Sequence, residues 1–218
     1  MAAAFKPQAN IAAKLALLCL GGLVLAGIGW WWGYPRTNFR RQEFWTVQQP
    51  VPFSHEHHVS GLGIDCRFCH TAVETSSNAG LPPTYTCMTC HSQIWTNAQV
   101  LAPVRESLAS DTPIHWHRVY DLPDYVFFNH SIHIAKGIGC ASCHGEVNRM
   151  PLTYKAVSLE MTFCIDCHQN PGPRMRPRSE IYNMQWARDA STPSPKALMA
   201  EYHVRAGGRL LDCSTCHR

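Results

Sequence analysis

Cys66-Arg-Phe-Cys69-His70, Cys87-Met-Thr-Cys90-His91, Cys140-Ala-Ser-Cys143-His144, Cys164-Ile-Asp-Cys167-His168 and Cys213-Ser-Thr-Cys216-His217 are five copies of one pentapeptide in a chain of 218 residues. Cys-x-x-Cys-His is the attachment signature of c-type haem. Thiols at that separation add to the two vinyl groups of one porphyrin, and the residue that follows lies on the same turn of chain, where its imidazole takes one axial position on iron. Other uses of paired cysteines fit worse. A closed zinc site needs four ligands and does not require histidine straight after each pair. A disulfide framework would ignore the following residue, and thioredoxin-like chemistry wants one pair in a βαβ setting. The sequence therefore implies five covalent haem c groups, anchored by Cys66, Cys69, Cys87, Cys90, Cys140, Cys143, Cys164, Cys167, Cys213 and Cys216. His70, His91, His144, His168 and His217 are the expected proximal iron ligands.

Working outward, residues Leu15 to Trp32 form an 18-residue apolar run without a charge, ending in Trp30, Trp31, Trp32 and, after Gly33, Tyr34. As a helix it would span about 27 Å, enough to cross a bilayer, with an aromatic belt at one end. It is longer than a signal-peptide core, and no clean small-residue cleavage site follows. A buried core helix is the competing reading. The expected organisation is a cytoplasmic tail and transmembrane anchor over residues 1–34 and a periplasmic pentahaem domain over 35–218. Flanking charge does not set the orientation, because Lys6 and Lys14 on one side are balanced by Arg36, Arg40 and Arg41 on the other. Haem attachment does: it takes place on the outer face of the bacterial inner membrane. Cys19, inside the anchor, reads as a small apolar residue.

The 184 residues after the anchor give about 37 to each haem, too few for five separate folds. The haems must then be the core, wrapped by short helices and loops with little or no sheet, and folding must depend on their attachment. Charge supports no nucleic-acid role. The formal +4 falls to about −6 once five pairs of propionates are counted.

The domain repeats itself. Phe53-Ser-His55-Glu-His57-His58 leads to Cys66, and Phe128-Asn-His130-Ser-Ile-His133 leads to Cys140, with offsets of 75 at the first histidine, 74 at the cysteine and 77 at the next motif. An internal duplication over about 50–100 and 125–170 accounts for this, with the fifth motif, 213–217, outside it. Histidines at i and i+3 share one face of a helical turn, so His55, His58, His130 and His133 are candidate sixth ligands for four haems, rather than surface residues or propionate partners. His57 points elsewhere. For the remaining haem the candidates are Met161, Met150, Met184, His115, His117 and His203. Met161 is favoured because a thioether raises the potential, although methionine near haem is more often packing. Residues 171–195, with five prolines and Arg174, Arg176 and Arg178, read as an extended strap whose arginines meet propionates, a partner or solvent.

The paired motifs with Phe-x-His-x-x-His resemble class III multihaem cytochromes. One anchor, two such halves and a terminal fifth motif are similar to the pentahaem membrane-anchored cytochrome subunit of bacterial alternative complex III. A hexahaem relative in quinone-reductase complexes has a similar plan, and five motifs rather than six favour the former. The resemblance implies an electron-transfer subunit, not an enzyme by itself, that passes electrons from quinol oxidation to a monohaem cytochrome c or a terminal oxidase. It also implies a large iron–sulfur/molybdopterin-type subunit and polytopic quinone-binding membrane subunits as partners. A catalytic multihaem reductase would often depart from histidine in one motif, which none of the five does. A stand-alone membrane quinol dehydrogenase feeding a periplasmic reductase is the other alternative, although such proteins are typically tetrahaem.

Overall fold

The computed structural model describes residues 6–217; the start of the expected tail, residues 1–5, lies outside them. The chain divides into two compact units, one ending at Gln42 and the other Glu43–Arg218. The first is built on helix Pro7–Gly33, 27 residues with proline in its first turn, where a missing N–H costs nothing. It begins ahead of the apolar run and is about 40 Å long. The span is long and apolar enough to cross a membrane, and none of it is buried, unlike a core helix. Trp30 and Tyr34 stack at 5.0 Å near its end.

The second unit is helical, as expected, and among the described residues its β-structure is limited to isolated bridges such as Glu43 with Lys155 and Ile138 with Met175. Every cysteine motif lies on a short helix: Cys66–Cys69, Thr84–His91, Ala141–His144 (with Cys140 at its N-cap), Met161–Gln169 and Cys213–Cys216. One helical turn puts the two cysteines of a motif on the same face. Asp65 caps the first of these helices by accepting from the Arg67 backbone N–H at 2.8 Å, and Asn129 caps helix His130–Ala135.

Apolar burial is sparse. Among the described residues nine apolar side chains are buried, most of them in two clusters, Val51-Leu101-Val104 and Met175-Leu198-Tyr202. Protein packing alone gives these 176 residues no continuous core of the size a domain this large builds.

The two halves of the repeat are superimposable in their contacts. Phe53 stacks on His58 at 4.4 Å and meets His55 edge-on at 4.9 Å. Phe128 stacks on His133 at 4.7 Å and meets His130 edge-on at 4.7 Å. One difference has a sequence cause. The first half has one residue more between its second histidine and the Gly-Ile turn, and its histidine-bearing turn, Glu56–Gly61, is a π-helix where the second half has the α-helix His130–Ala135. A π-turn is the way a helix absorbs a single inserted residue.

The halves also hold each other. The Glu56 N–H donates to the Met150 carbonyl at 3.1 Å, and the Ser131 N–H donates to the Ser76 carbonyl at 3.2 Å. Glu56 and Ser131 are equivalent in the repeat, and so are Met150 and Ser76. The histidine turn of each half is thus clasped by the loop after the first cysteine motif of the other.

Residues 171–195 correct the expectation of a strap without regular structure: they contain 3₁₀ turns at Gly172–Arg174 and Arg178–Glu180 and lead into helix Pro195–Glu201, capped by Ser194. Proline in the first turn of two of these elements favours them instead of breaking them. The strap's arginines lie over aromatic rings, Arg174 over Phe163, Arg176 over Trp186 and Arg178 over Tyr202, at 4.8–4.9 Å. Gly137, ahead of the third motif, has φ +78°, and a Cβ there would meet the Tyr202 ring at 2.6 Å. Gly137→Ala should lower stability by roughly 2–4 kcal/mol, through left-handed strain plus the clash, and Tm by about 5–10 °C. Gly63→Ala, with equal strain (φ +68°) but open space, should cost clearly less. Equal melting of the two variants would refute the clash.

Candidate metal centre

Metal–imidazole bonds are about 2.0–2.1 Å long and a ring centre lies about 1.1 Å behind its nitrogen. Two imidazoles on opposite sides of one metal therefore stand with centres about 6.3 Å apart. The rings of His58 and His91 are 6.2 Å apart, those of His130 and His144 6.4 Å, and those of His133 and His168 6.3 Å. Each pair joins one histidine of a Phe-x-His-x-x-His turn to one histidine of a cysteine motif. His55 has His70 as a close neighbour, which helps depress its pKa. Six of the expected ligands are thus brought together in three facing pairs, His58 with His91, His130 with His144 and His133 with His168, and His55 is within electrostatic reach of His70.

Their tautomers are set as well. Among the described residues the Nδ1 atoms of His58, His70, His91, His130, His133 and His168 donate to the carbonyls of Ser54, Gly80, Ile94, Ser77, Asn129 and Leu210 at 2.7–3.2 Å. Nδ1 of His55 lies 3.0 Å from the Thr153 hydroxyl. A proton fixed on Nδ1 leaves the Nε2 lone pair free for a metal, the usual arrangement around ligating histidines. Burial, helped by neighbouring histidines, pushes His55 and His144 down to about 4 and lowers His133 in the same direction. These rings are neutral near pH 7, the form that ligates.

None of the ten motif cysteines is joined in a disulfide. Burial is the main cause raising Cys140 and Cys143 to about 11, and Cys66, Cys69, Cys87 and Cys164 in the same direction. Secondary contributions come from cysteines of other motifs: Cys87 on Cys69, Cys66 on Cys140, Cys167 on Cys143 and Cys216 on Cys164. The first motif is thus within electrostatic reach of the second and third, the third of the fourth and the fourth of the fifth. Among the described residues no three or more His, Cys, Asp or Glu side chains gather around a common point. Haem iron requires only two protein ligands, because the porphyrin supplies the other four. Paired rings and paired thiols fit that group.

The fifth motif is built differently. His217 stacks on Tyr125 at 5.8 Å, its segment is bridged to Val126, and the Cys216 carbonyl accepts from the Phe127 N–H at 2.7 Å. Of the candidates named for its second axial position, Met161 is the first residue of helix Met161–Gln169 and is 64 % exposed. Met150 is fully buried, Met184 half-buried, and His115, His117 and His203 exposed. His57 lies against Trp95 at 5.9 Å. Tyr120 was not expected at the site. It meets the His144 ring edge-on at 4.6 Å, and its hydroxyl donates to the Cys143 carbonyl and accepts from the Ala156 N–H. No motif signals it.

No protein-family model matches the chain. A curated relative does: the multihaem cytochrome c subunit of menaquinone reductase from Nitratidesulfovibrio vulgaris strain Hildenborough, 36 % identical over 170 residues that cover 68 % of this chain and 79 % of that protein. The chain belongs to this family of multihaem cytochrome c subunits. The fold of short helices that carry cysteine motifs, without a sheet among the described residues, is that of a multihaem cytochrome. The expected membership of a cytochrome subunit family is thereby established at this level.

Proposed function

We propose that this multihaem cytochrome is the electron-transfer subunit of a quinone-linked membrane complex, holding five haem c groups through the ten motif cysteines. When bound, the haems supply one-electron carriers; what the chain supplies is spacing, ligation and electrostatics. His70, His91, His144 and His168 are the proximal ligands of the first four, opposed by His55, His58, His130 and His133, and His217 is the proximal ligand of the fifth. Met161 is retained as the proposed second ligand there. The observation that carries the reading is the set of paired rings 6.2–6.4 Å apart with Nδ1 already occupied. Two strong axial ligands leave iron no open site for a substrate, which favours transfer over catalysis.

The order of the sites follows from the chain's hydrogen bonds. The first and third sites are tied by the mutual clasp. The second shares the His55–His58 turn with the first, and the fourth shares helix His130–Ala135 with the third. The fifth adjoins the fourth, where Nδ1 of His168 donates to the Leu210 carbonyl and the His168 carbonyl accepts from the Gly207 N–H. The proposed row runs second, first, third, fourth, fifth, with entry and exit at the second and fifth motifs.

In this reading residues 1–34 anchor the chain in the bacterial inner membrane, and 35–218 form the periplasmic domain. The partners are a large iron–sulfur/molybdopterin-type subunit and polytopic quinone-binding subunits, as in alternative complex III. Electrons run from quinol to a monohaem cytochrome c or an oxidase. The relative's name favours a second reading of the same wire, in which electrons run toward menaquinone. Purification through this chain in mild detergent, followed by mixing with menaquinol or, after chemical reduction, with menaquinone, tests both. Co-purification of the partners and haem reduction by menaquinol are the expected results. Haems that menaquinol leaves oxidised but that menaquinone reoxidises would reverse the direction. A chain that comes away alone, or carries fewer than five haem peptides, would sink the proposal.

A further inference from the structure

Among the described residues one basic side chain is buried: Arg176, only 6 % exposed. The strap that carries it is fastened to the loop leading into the third cysteine motif. The Arg176 N–H donates to the Gly137 carbonyl at 2.9 Å, Met175 pairs with Ile138, and the Cys140 N–H donates to the Ile181 carbonyl at 3.1 Å. The guanidinium lies close against Gly139, next to Cys140; a Cβ at Gly139 would stand 2.2 Å from its Cζ and Nε. The cation occupies the space that a side chain at Gly139 would fill, so a larger residue there would displace it. Trp186 covers the guanidinium at 4.8 Å.

Among the described residues no carboxylate makes a direct ion pair with this charge. Nη1 donates to two carbonyls, of Glu180 at 3.3 Å and Asn183 at 2.9 Å, and Nε is buried without a hydrogen-bond partner. The Glu180 carboxylate is within electrostatic reach, but its oxygens accept from Ser179 and Asn183. A guanidinium stays protonated in proteins, even where burial lowers its pKa as here. The fold thus holds a fixed, desolvated positive charge beside the third motif.

We propose that Arg176 raises the reduction potential of the haem attached through Cys140 and Cys143. This rests on the third motif carrying a haem. Gain of one electron lowers the charge of the iron centre by one, so a fixed cation destabilises the oxidised form more than the reduced form. At a separation on the order of 10 Å and an effective dielectric of about 20, one unit charge changes a one-electron equilibrium by roughly tenfold, and little salt screens it. The like-signed contribution of a solvent-exposed lysine or arginine at the same distance is far smaller. A haem so tuned, third in the proposed row of five, is the one on which an electron rests longer than it would without Arg176.

The test uses the membrane-extracted protein in four forms: wild type, the neutral variants Arg176→Met and Arg176→Gln, and the charged Arg176→Lys. Haem peptides are counted by mass spectrometry, and haem absorbance is titrated against potential. Five haems in every form are expected. In both neutral variants one of the five waves should shift about tenfold toward the oxidised form, about 59 mV for a one-electron couple. Arg176→Lys loses the same fork of hydrogen bonds but keeps the charge, so its wave should stay near that of the wild type. An unmoved wave in the neutral variants overturns the proposal. So does an equal shift in Arg176→Lys, or loss of five-haem protein in all three variants, since either makes Arg176 a structural prop only. A wild-type protein without haem on Cys140 and Cys143 is a different failure, which removes the site itself.

Discussion

His133→Ala leaves five covalent haems and turns one of them from low-spin to high-spin. The His133 ring faces the His168 ring at 6.3 Å and 20°, and its Nδ1 is committed to the Asn129 carbonyl at 2.7 Å, so only Nε2 is free to bind. In the proposed site alanine would take away one of two axial ligands and leave the cysteine attachment intact. Electron paramagnetic resonance of the oxidised protein should show a high-spin signal from about one haem in five, and mass spectrometry should still find five haem peptides. His57→Ala, one residue from a ligand but packed on Trp95, should leave the spectrum unchanged. A fully low-spin His133→Ala protein would remove His133 from the ligand set.

Made without haem attachment, the chain from Glu43 onward should not fold. Its nine buried apolar residues, most of them in two small clusters, cannot offset the conformational entropy of ordering about 175 residues. Large apolar side chains beside the motifs, such as Phe68, Tyr125 and Phe127, are exposed. The prediction is close to all-or-none. Serine in place of the ten motif cysteines should give a chain with little helical circular dichroism that a protease digests within minutes. The wild-type protein should resist digestion and give discrete domain fragments. A protease-resistant, helical cysteine-free chain would show that the protein has a core independent of its haems.

Much of this was legible in the sequence because covalent chemistry imposes rigid spacing. Cys-x-x-Cys-His admits no insertions, and Phe53 and Phe128 recur with their histidines because each ring wedges against both imidazoles. The change of offset from 75 to 74 residues was visible too, but only the backbone reveals it as a π-turn. What could not be read is what depends on main-chain atoms. The acceptors that fix the histidine tautomers are mostly carbonyls, at Ser54, Gly80, Ser77, Asn129 and Leu210, and every residue has a carbonyl. Arg176 looked like its neighbours Arg174 and Arg178, and only its burial and the approach of Gly139 distinguish it. Tyr120 reaches Cys143 and His144 from a segment without any motif.

The mutual clasp bears on how the protein is made. His55 belongs to the first half, but its hydroxyl partner, Thr153, lies 98 residues further along, and the backbone acceptor of Glu56 is Met150. A chain emerging across a membrane from its N-terminus presents Cys66 and Cys69 long before those residues arrive. The first attachment site is therefore finished late, after the third motif has already appeared. Severed from the other, neither half would keep the partner of its first histidine, Thr153 for His55 and Ser77 for His130.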